Sequence, residues 1–273
     1  MSRVFFLLFF LLFAPVVEAK TKVLVSVAPQ KYLVERIGCN EVEVQVLVPA
    51  GASPHTYEPS PKQVIKAQEG EIWFRIGEGF ERQILPVLSK IEVVDQRDGL
   101  PLLEANGCSC CAKEGHDPHI WLSPALLKKL ARQIEETLST HDPENRLAYS
   151  HNLRHLEEDL DRQHEWILSQ LAGLEGKSLL VSHPAFGYFC HDYHLNQLSI
   201  EMEGREPTPR YLIHLVDKAR SEKIQTVFLQ KQYNTKGGKR IARELNAETV
   251  YLDPYAENVL ENLFAITEAF AQG

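Results

Sequence analysis

The 273-residue sequence carries no surplus of positive charge: 29 Lys and Arg stand against 37 Asp and Glu, for a formal net charge of −8. No basic stripe interrupts that balance, so the field that displaces phosphate counterions is missing and no nucleic-acid partner is expected. The chain also lacks a His-Glu-x-x-His helix and a Gly-x-Ser-x-Gly elbow, and nothing in it is assignable as a general base, which leaves a secreted zinc hydrolase as a secondary reading only. It shows no convincing short-period repeat. What is present is ordinary for a folded, soluble protein. Apolar residues make up 44% and charged residues 24%, which points away from both disorder and a fibrous design.

The amino-terminal stretch reads as an export signal. Arg3 supplies the basic segment, Val4 through Val17 an apolar run too short to span a bilayer comfortably, and Val17-Glu18-Ala19 a small-residue cleavage site. No cysteine lies near that point, so the expected product is a free periplasmic protein without a lipid anchor. Of the five cysteines, Cys39 and Cys190 sit in apolar surroundings as packing residues, whereas Cys108, Cys110 and Cys111 cluster in a short polar segment with His116.

Short β-branched and apolar runs alternate with helical patterns. Val23 to Val27, Val42 to Val48, Ile72 to Ile76 and Ile91 to Asp95 read as strands, with helices near Gln30 to Ile37 and Pro61 to Gln68, an α/β layer with a largely parallel sheet. Ser123 caps a helix that opens on Pro124 and shows one apolar face through Leu126, Leu127, Leu130, Ile134 and Leu138. From Asp142, read as an N-cap, a run without internal Gly or Pro reaches Leu171, with Tyr149, Leu153, Leu156, Leu160, Ile167 and Leu171 at helical spacing. Such a helix, about 45 Å long, could cross the molecule. A second α/β unit follows, with strands near Leu179 to Ser182, Gln197 to Ile200, Thr226 to Leu229 and Thr249 to Leu252, and helices near Thr208 to Glu222, Lys236 to Leu245 and Glu257 to Phe270. The pattern predicts two α/β lobes with mostly parallel sheets joined by a long rigid helix: signal 1–19, first lobe 20–141, linking helix 142–172, second lobe 173–273.

Four polar residues each fall just beyond a strand or turn signal: His55, His119, His183 and Asp253. In open α/β sheets, ligands bind outside the carboxyl ends of strands, and with two of these residues from each lobe the site falls in the cleft between them. Three imidazoles and a carboxylate suit tetrahedral Zn²⁺; Mn²⁺ asks for more oxygen, and Ca²⁺ or Mg²⁺ for nearly all oxygen. Taken singly, each histidine is more often a hydrogen-bonded turn residue than a ligand.

The motifs that contain them change that reading: Pro54-His-Thr-Tyr-Glu-Pro-Ser-Pro, Asp117-Pro-His-Ile-Trp-Leu-Ser-Pro, Ser182-His-Pro-Ala-Phe-Gly-Tyr-Phe, Glu203-Gly-Arg-Glu-Pro-Thr-Pro and Leu252-Asp-Pro. In these, and in their order along essentially the whole mature chain, the sequence resembles the zinc- and manganese-binding family of ABC-importer solute-binding proteins. The resemblance implies that His55, His119 and His183 are the histidine ligands and that Asp253 occupies the acidic fourth position. It implies a monomer that hands its ion to a permease of the inner membrane, zinc first, with manganese or iron as the alternative cargo and a metal-binding adhesin as an alternative role. Where zinc proteins of the family often carry a long His- and acid-rich loop, this chain has only Asn106 to Asp117; its thiols and His116 could capture a soft ion, pair as a disulfide, or form a variable turn. His151 and His155, four apart on the long helix, are assigned to a solvated face. Glu201, Glu203 and Arg205 follow a strand of the second lobe and either shape the cleft or form surface ion pairs.

Overall fold

The structure is a computed structural model, and the residues it describes are 19–105, 115–201, 208–233 and 235–273. The export signal, the Cys108, Cys110 and Cys111 segment, and Glu203 with Arg205 lie outside them.

The first lobe is built on strands β1 (Thr21–Val25), β2 (Val42–Val46), β3 (Ile72–Arg75) and β4 (Glu92–Asp95), all parallel, in the order β2-β1-β3-β4. The second repeats that order as β6-β5-β7-β8, from β5 (Ser178–Val181), β6 (Asn196–Ser199), β7 (Thr226–Gln230) and β8 (Glu248–Leu252), again all parallel. The central strands are apolar on both faces, as sheets covered on two sides require. Successive residues turn to opposite faces. Thus Val23 and Val25 join the main core while Leu24 packs with Trp73 and Phe80 on the far side, and Leu179 and Val181 join the main core while Leu180 packs with Val227 and Ile241.

Helices α1 (Ala28–Gly38), α2 (Pro61–Ala67), α3 (Glu81–Ile84) and α4 (Pro124–His141) belong to the first lobe. Helices α6 (Gly187–Asp192), α7 (Pro209–Ser221), α8 (Lys236–Leu245) and α9 (Val259–Gln272) belong to the second. Between them runs α5 (Arg146–Leu171), 26 residues and about 39 Å long. Tyr149, Leu156, Leu160 and Ile167 are fully buried on it, and they pass one continuous core from α1 and α4 across to α9. Ser123 caps α4 through its Oγ, as its sequence predicts. Asp142 does not cap α5. Pro143–Asn145 form a 3-10 turn instead, and the Asp142 carboxylate accepts from Asn145 Nδ2 and Tyr149 Oη. Pro143 fixes its own φ and lacks an N–H, which favours the tighter turn ahead of the helix. At the other end, Gly173 adopts φ +82°, a left-handed conformation that a side chain would resist. No helix among the described residues is long and apolar enough to cross a membrane.

Further contacts tie the lobes together. Arg36 of α1 pairs with Asp159 of α5 at 2.6 Å, Trp166 of α5 stacks on Phe264 of α9, and Lys31 reaches Glu257 at 2.8 Å. Trp121 Nε1 donates to the Pro254 carbonyl at 2.7 Å, Ser123 Oγ to Asp192 at 2.5 Å, and Tyr188 Oη to the Asp117 carbonyl at 3.0 Å.

Buried polar side chains hold the carboxyl ends of the strands. In the first lobe Glu81, fully buried, accepts from Ser26 Oγ, the backbone N–H groups of Ile76 and Gly77, and Arg75 Nε. Burial raises its pKa above the ordinary carboxylate range, against the pull of those donors. In the second lobe Gln230 accepts from Ser182 Oγ and His183 N–H and donates to the His183 carbonyl. Replacing Glu81 by Ala would leave four donors without an acceptor, one of them cationic. A loss of about 3 kcal/mol or more is expected, read as a fall of roughly 6–12 °C in the thermal midpoint of the metal-free protein.

Candidate metal centre

The strand ends deliver the histidines. His55 sits in the 3-10 turn Pro54–Thr56 that follows β2, His119 opens the turn Ile120–Leu122 beyond β4, and His183 lies two residues past β5. Their rings meet in the seam between the lobes, with centroids 5.1 to 5.5 Å apart. One nitrogen from each comes within 4.8 Å of the others. His119 and His183 are fully buried and the His55 side chain is 5% exposed.

Each ring is backed by a carboxylate on its Nδ1: Glu78 on His55 at 2.9 Å, Asp117 on His119 at 2.7 Å, and Glu201 on His183 at 2.8 Å. A carboxylate there fixes the ring plane and favours the tautomer whose Nε2 lone pair faces the centre. The second oxygen of Glu78, Oε1, is buried next to the cluster with no hydrogen-bond partner among the described residues. Tetrahedral Zn²⁺ with nitrogen ligands at about 2.0–2.1 Å sets donor-to-donor edges of about 3.3–3.4 Å. The 3.2 Å between His55 Nε2 and His183 Nε2 is close to that edge, so the residues present fit such an ion.

Burial, then the neighbouring His55 and His119, lowers the His183 pKa well below its ordinary value, while burial pushes Glu201 up to about 7. An arriving cation needs the Nε2 atoms of both His55 and His183 bare.

Asp253, expected from the sequence as the fourth ligand, stands outside this cluster. Its Oδ1 accepts from Gln232 Nε2 at 2.5 Å and from the Tyr255 backbone N–H at 3.0 Å. Beside the histidines is Tyr255 instead, with Oη 3.1 Å from His119 Nε2, and Tyr233 stacks flat on His183 at 4.1 Å. Sequence reasoning missed Glu78, Tyr233 and Tyr255. Of the supporting groups, Glu201 was marked by its place after a strand of the second lobe, and Asp117 by lying two residues before its histidine, where its Oδ1 also accepts from the His119 backbone N–H. His151 and His155 lie exposed on α5, Nε2 to Nε2 at 3.1 Å, remote in sequence from the cluster. His116 is exposed, on an isolated bridge to Glu104.

Comparison with known proteins gives a consistent picture. The family model described as zinc-uptake complex component A, periplasmic, matches residues 23–269. A putative metal-binding protein of Chlamydia trachomatis serovar D is 35% identical over 275 residues, covering 98% of this chain and 99% of its own. A crystal structure of ZnuA superposes with a TM-score of 0.87 at 37% identity, over 93% of this chain and 98% of that one. A deletion mutant of ZnuA with zinc bound superposes with a TM-score of 0.86 at 38% identity, over 92% and 97%.

The burial of Glu201 has a measurable consequence. Below about pH 7, where Glu201 is protonated, Zn²⁺ binding should release the Glu201 proton, so apparent affinity drops about tenfold per unit as pH falls. Above about pH 7 this contribution levels off. Calorimetric titration in buffers of different ionisation enthalpy counts the proton, and Glu201→Gln should remove it from the count.

Proposed function

Because the chain belongs to the zinc-uptake complex component A family of periplasmic metal-binding proteins, matched over residues 23–269, we propose that it captures a transition-metal ion, zinc foremost, outside the cytoplasm and delivers it to the permease of an ABC importer. The observation that carries this reading is the convergence of His55, His119 and His183, each ring braced by its own carboxylate. Nitrogen-rich donors favour Zn²⁺ over Mn²⁺, which asks for more oxygen. Relatives described as zinc-binding support the same choice.

Binding rather than hydrolysis is the role that suits the surrounding groups. A zinc hydrolase keeps a carboxylate beside the metal-bound water as base, whereas Glu78, Asp117 and Glu201 are each engaged with an imidazole Nδ1. The cleavable signal at 1–19, a monomeric state and the absence of a lipid anchor belong to this reading, as does the division into lobes at 20–141 and 173–273 about the linking helix. Release follows from local rearrangement. A core continuous through α5, together with the Trp121–Pro254 and Lys31–Glu257 contacts, opposes a wide hinge opening.

Protein purified without chelator should carry one equivalent of metal by elemental analysis, and Zn²⁺ should outcompete Mn²⁺ at equal free concentration. His119→Ala should weaken Zn²⁺ binding by more than the roughly 10–100-fold that loss of a supporting partner costs. Preference for Mn²⁺ would overturn the choice of ion, and full retention of metal by His119→Ala would overturn the site.

A further inference from the structure

One of the three histidines carries a side-chain hydroxyl on its inward nitrogen. Tyr255 Oη lies 3.1 Å from His119 Nε2, close to the donor-to-donor edge of about 3.3–3.4 Å that tetrahedral zinc requires. Since His119 Nδ1 faces Asp117 Oδ1 at 2.7 Å, its Nε2 presents a lone pair, and the tyrosine hydroxyl donates to it. The hydroxyl proton is then committed, so Tyr233 Oη, 3.1 Å from Tyr255 Oη, is the donor in that second contact. Burial pushes the Tyr233 phenol up to about 12, consistent with a neutral donor.

Tyr255 is fixed from every side. Its backbone N–H donates to Asp253 Oδ1, and the carbonyl before it, Pro254, accepts from Trp121 Nε1. Its ring packs against those of His119 and Trp121, and the residue is 9% exposed. One oxygen of Asp253, Oδ1, holds this arrangement by accepting from both Tyr255 N–H and Gln232 Nε2, and the carboxylate is not among the clustered donor groups.

We propose that the Tyr255 hydroxyl, backed by Tyr233, is the fourth donor of the metal site and that Asp253 acts as the positioning residue that sets it. This inference rests on the three-histidine reading given under the proposed function. In the empty protein the hydroxyl satisfies the His119 lone pair and keeps that direction free of water. In the loaded protein the phenol would give up its proton to solvent as His119 Nε2 turns to the ion, and its oxygen would complete a shell of three nitrogens and one oxygen. A single phenolic oxygen in place of a carboxylate, which could bind through both oxygens, limits the oxygen count and so disfavours Mn²⁺.

Three variants and one spectroscopic probe test this. In Tyr255→Phe the affinity for Zn²⁺ should fall by about 10–100-fold, and the visible d–d spectrum of the Co²⁺-loaded protein should change in shape and intensity. In Asp253→Asn, whose amide oxygen can still accept from the Tyr255 N–H, affinity should fall by less than in Tyr255→Phe and the Co²⁺ spectrum should keep its wild-type shape, as expected of a positioning residue and not of a ligand. His119→Ala separates the two readings. If it abolishes binding while Tyr255→Phe leaves both affinity and spectrum intact, the histidine site stands and the tyrosine assignment fails. If Asp253→Asn costs more than Tyr255→Phe, the carboxylate is the ligand. Should Tyr255→Phe lose its cooperative thermal transition, NMR of the wild-type chain with isotope-labelled tyrosine rings carries the test. Zn²⁺ must then shift ring signals of the tyrosine pair, and a tyrosine spectrum unmoved by one equivalent overturns the proposal.

Discussion

Three imidazoles brought together at one point and shut away from solvent make an arrangement that a folded chain does not hold without compensation. Here the compensation lies behind the rings. Glu78, Asp117 and Glu201 each take one Nδ1, which orients the ring and supplies the charge that a divalent cation will need. The Tyr255 hydroxyl lies on the inward nitrogen of His119, and the inward nitrogens of His55 and His183 face each other at 3.2 Å. The rest of the molecule serves to bring these groups to one seam and to keep them there.

That task explains the doubled architecture. Two parallel sheets with the same strand order put loop segments at their carboxyl ends, and the continuous core through α5 fixes the two sets of ends against each other. Matching strands do not carry matching chemistry. β2 leads to His55 where β6 leads to Glu201, and β4 leads to His119 where β8 leads to Asp253 and Tyr255. The first lobe thus contributes two imidazoles. The second contributes one imidazole, the acid behind it and the two phenols. Buried polar clamps at Glu81 and Gln230 hold the strand ends firmly enough for such geometry to persist.

A rigid connection also bears on how an ion could leave. Wide closure about a hinge, the usual route for two-lobed binding proteins, would have to break a core that runs from Val23 to Phe270. Local change is cheaper. His55 and Glu201 both sit on loop segments just beyond edge strands, whereas His119 and His183 are held from several sides.

Much of this was legible in the residues alone. Strand and helix periodicity, the Ser123-Pro124 cap and the apolar stripe of α5 are local signals, written into neighbouring residues by backbone geometry, and they specified two α/β lobes about a long helix. The three histidines were legible too, because each follows a strand and sits in a distinctive motif. Tertiary structure decided what local patterns cannot contain. It settled which acid stands behind which ring, that Asp253 turns to Gln232 and the backbone of Tyr255, and that a tyrosine two residues further on faces His119. Glu78 is 23 residues from His55 and Tyr255 is 136 from His119. Over such separations no backbone period relates one side chain to another, and only the packing of two sheets against a shared helix brings them within hydrogen-bonding distance.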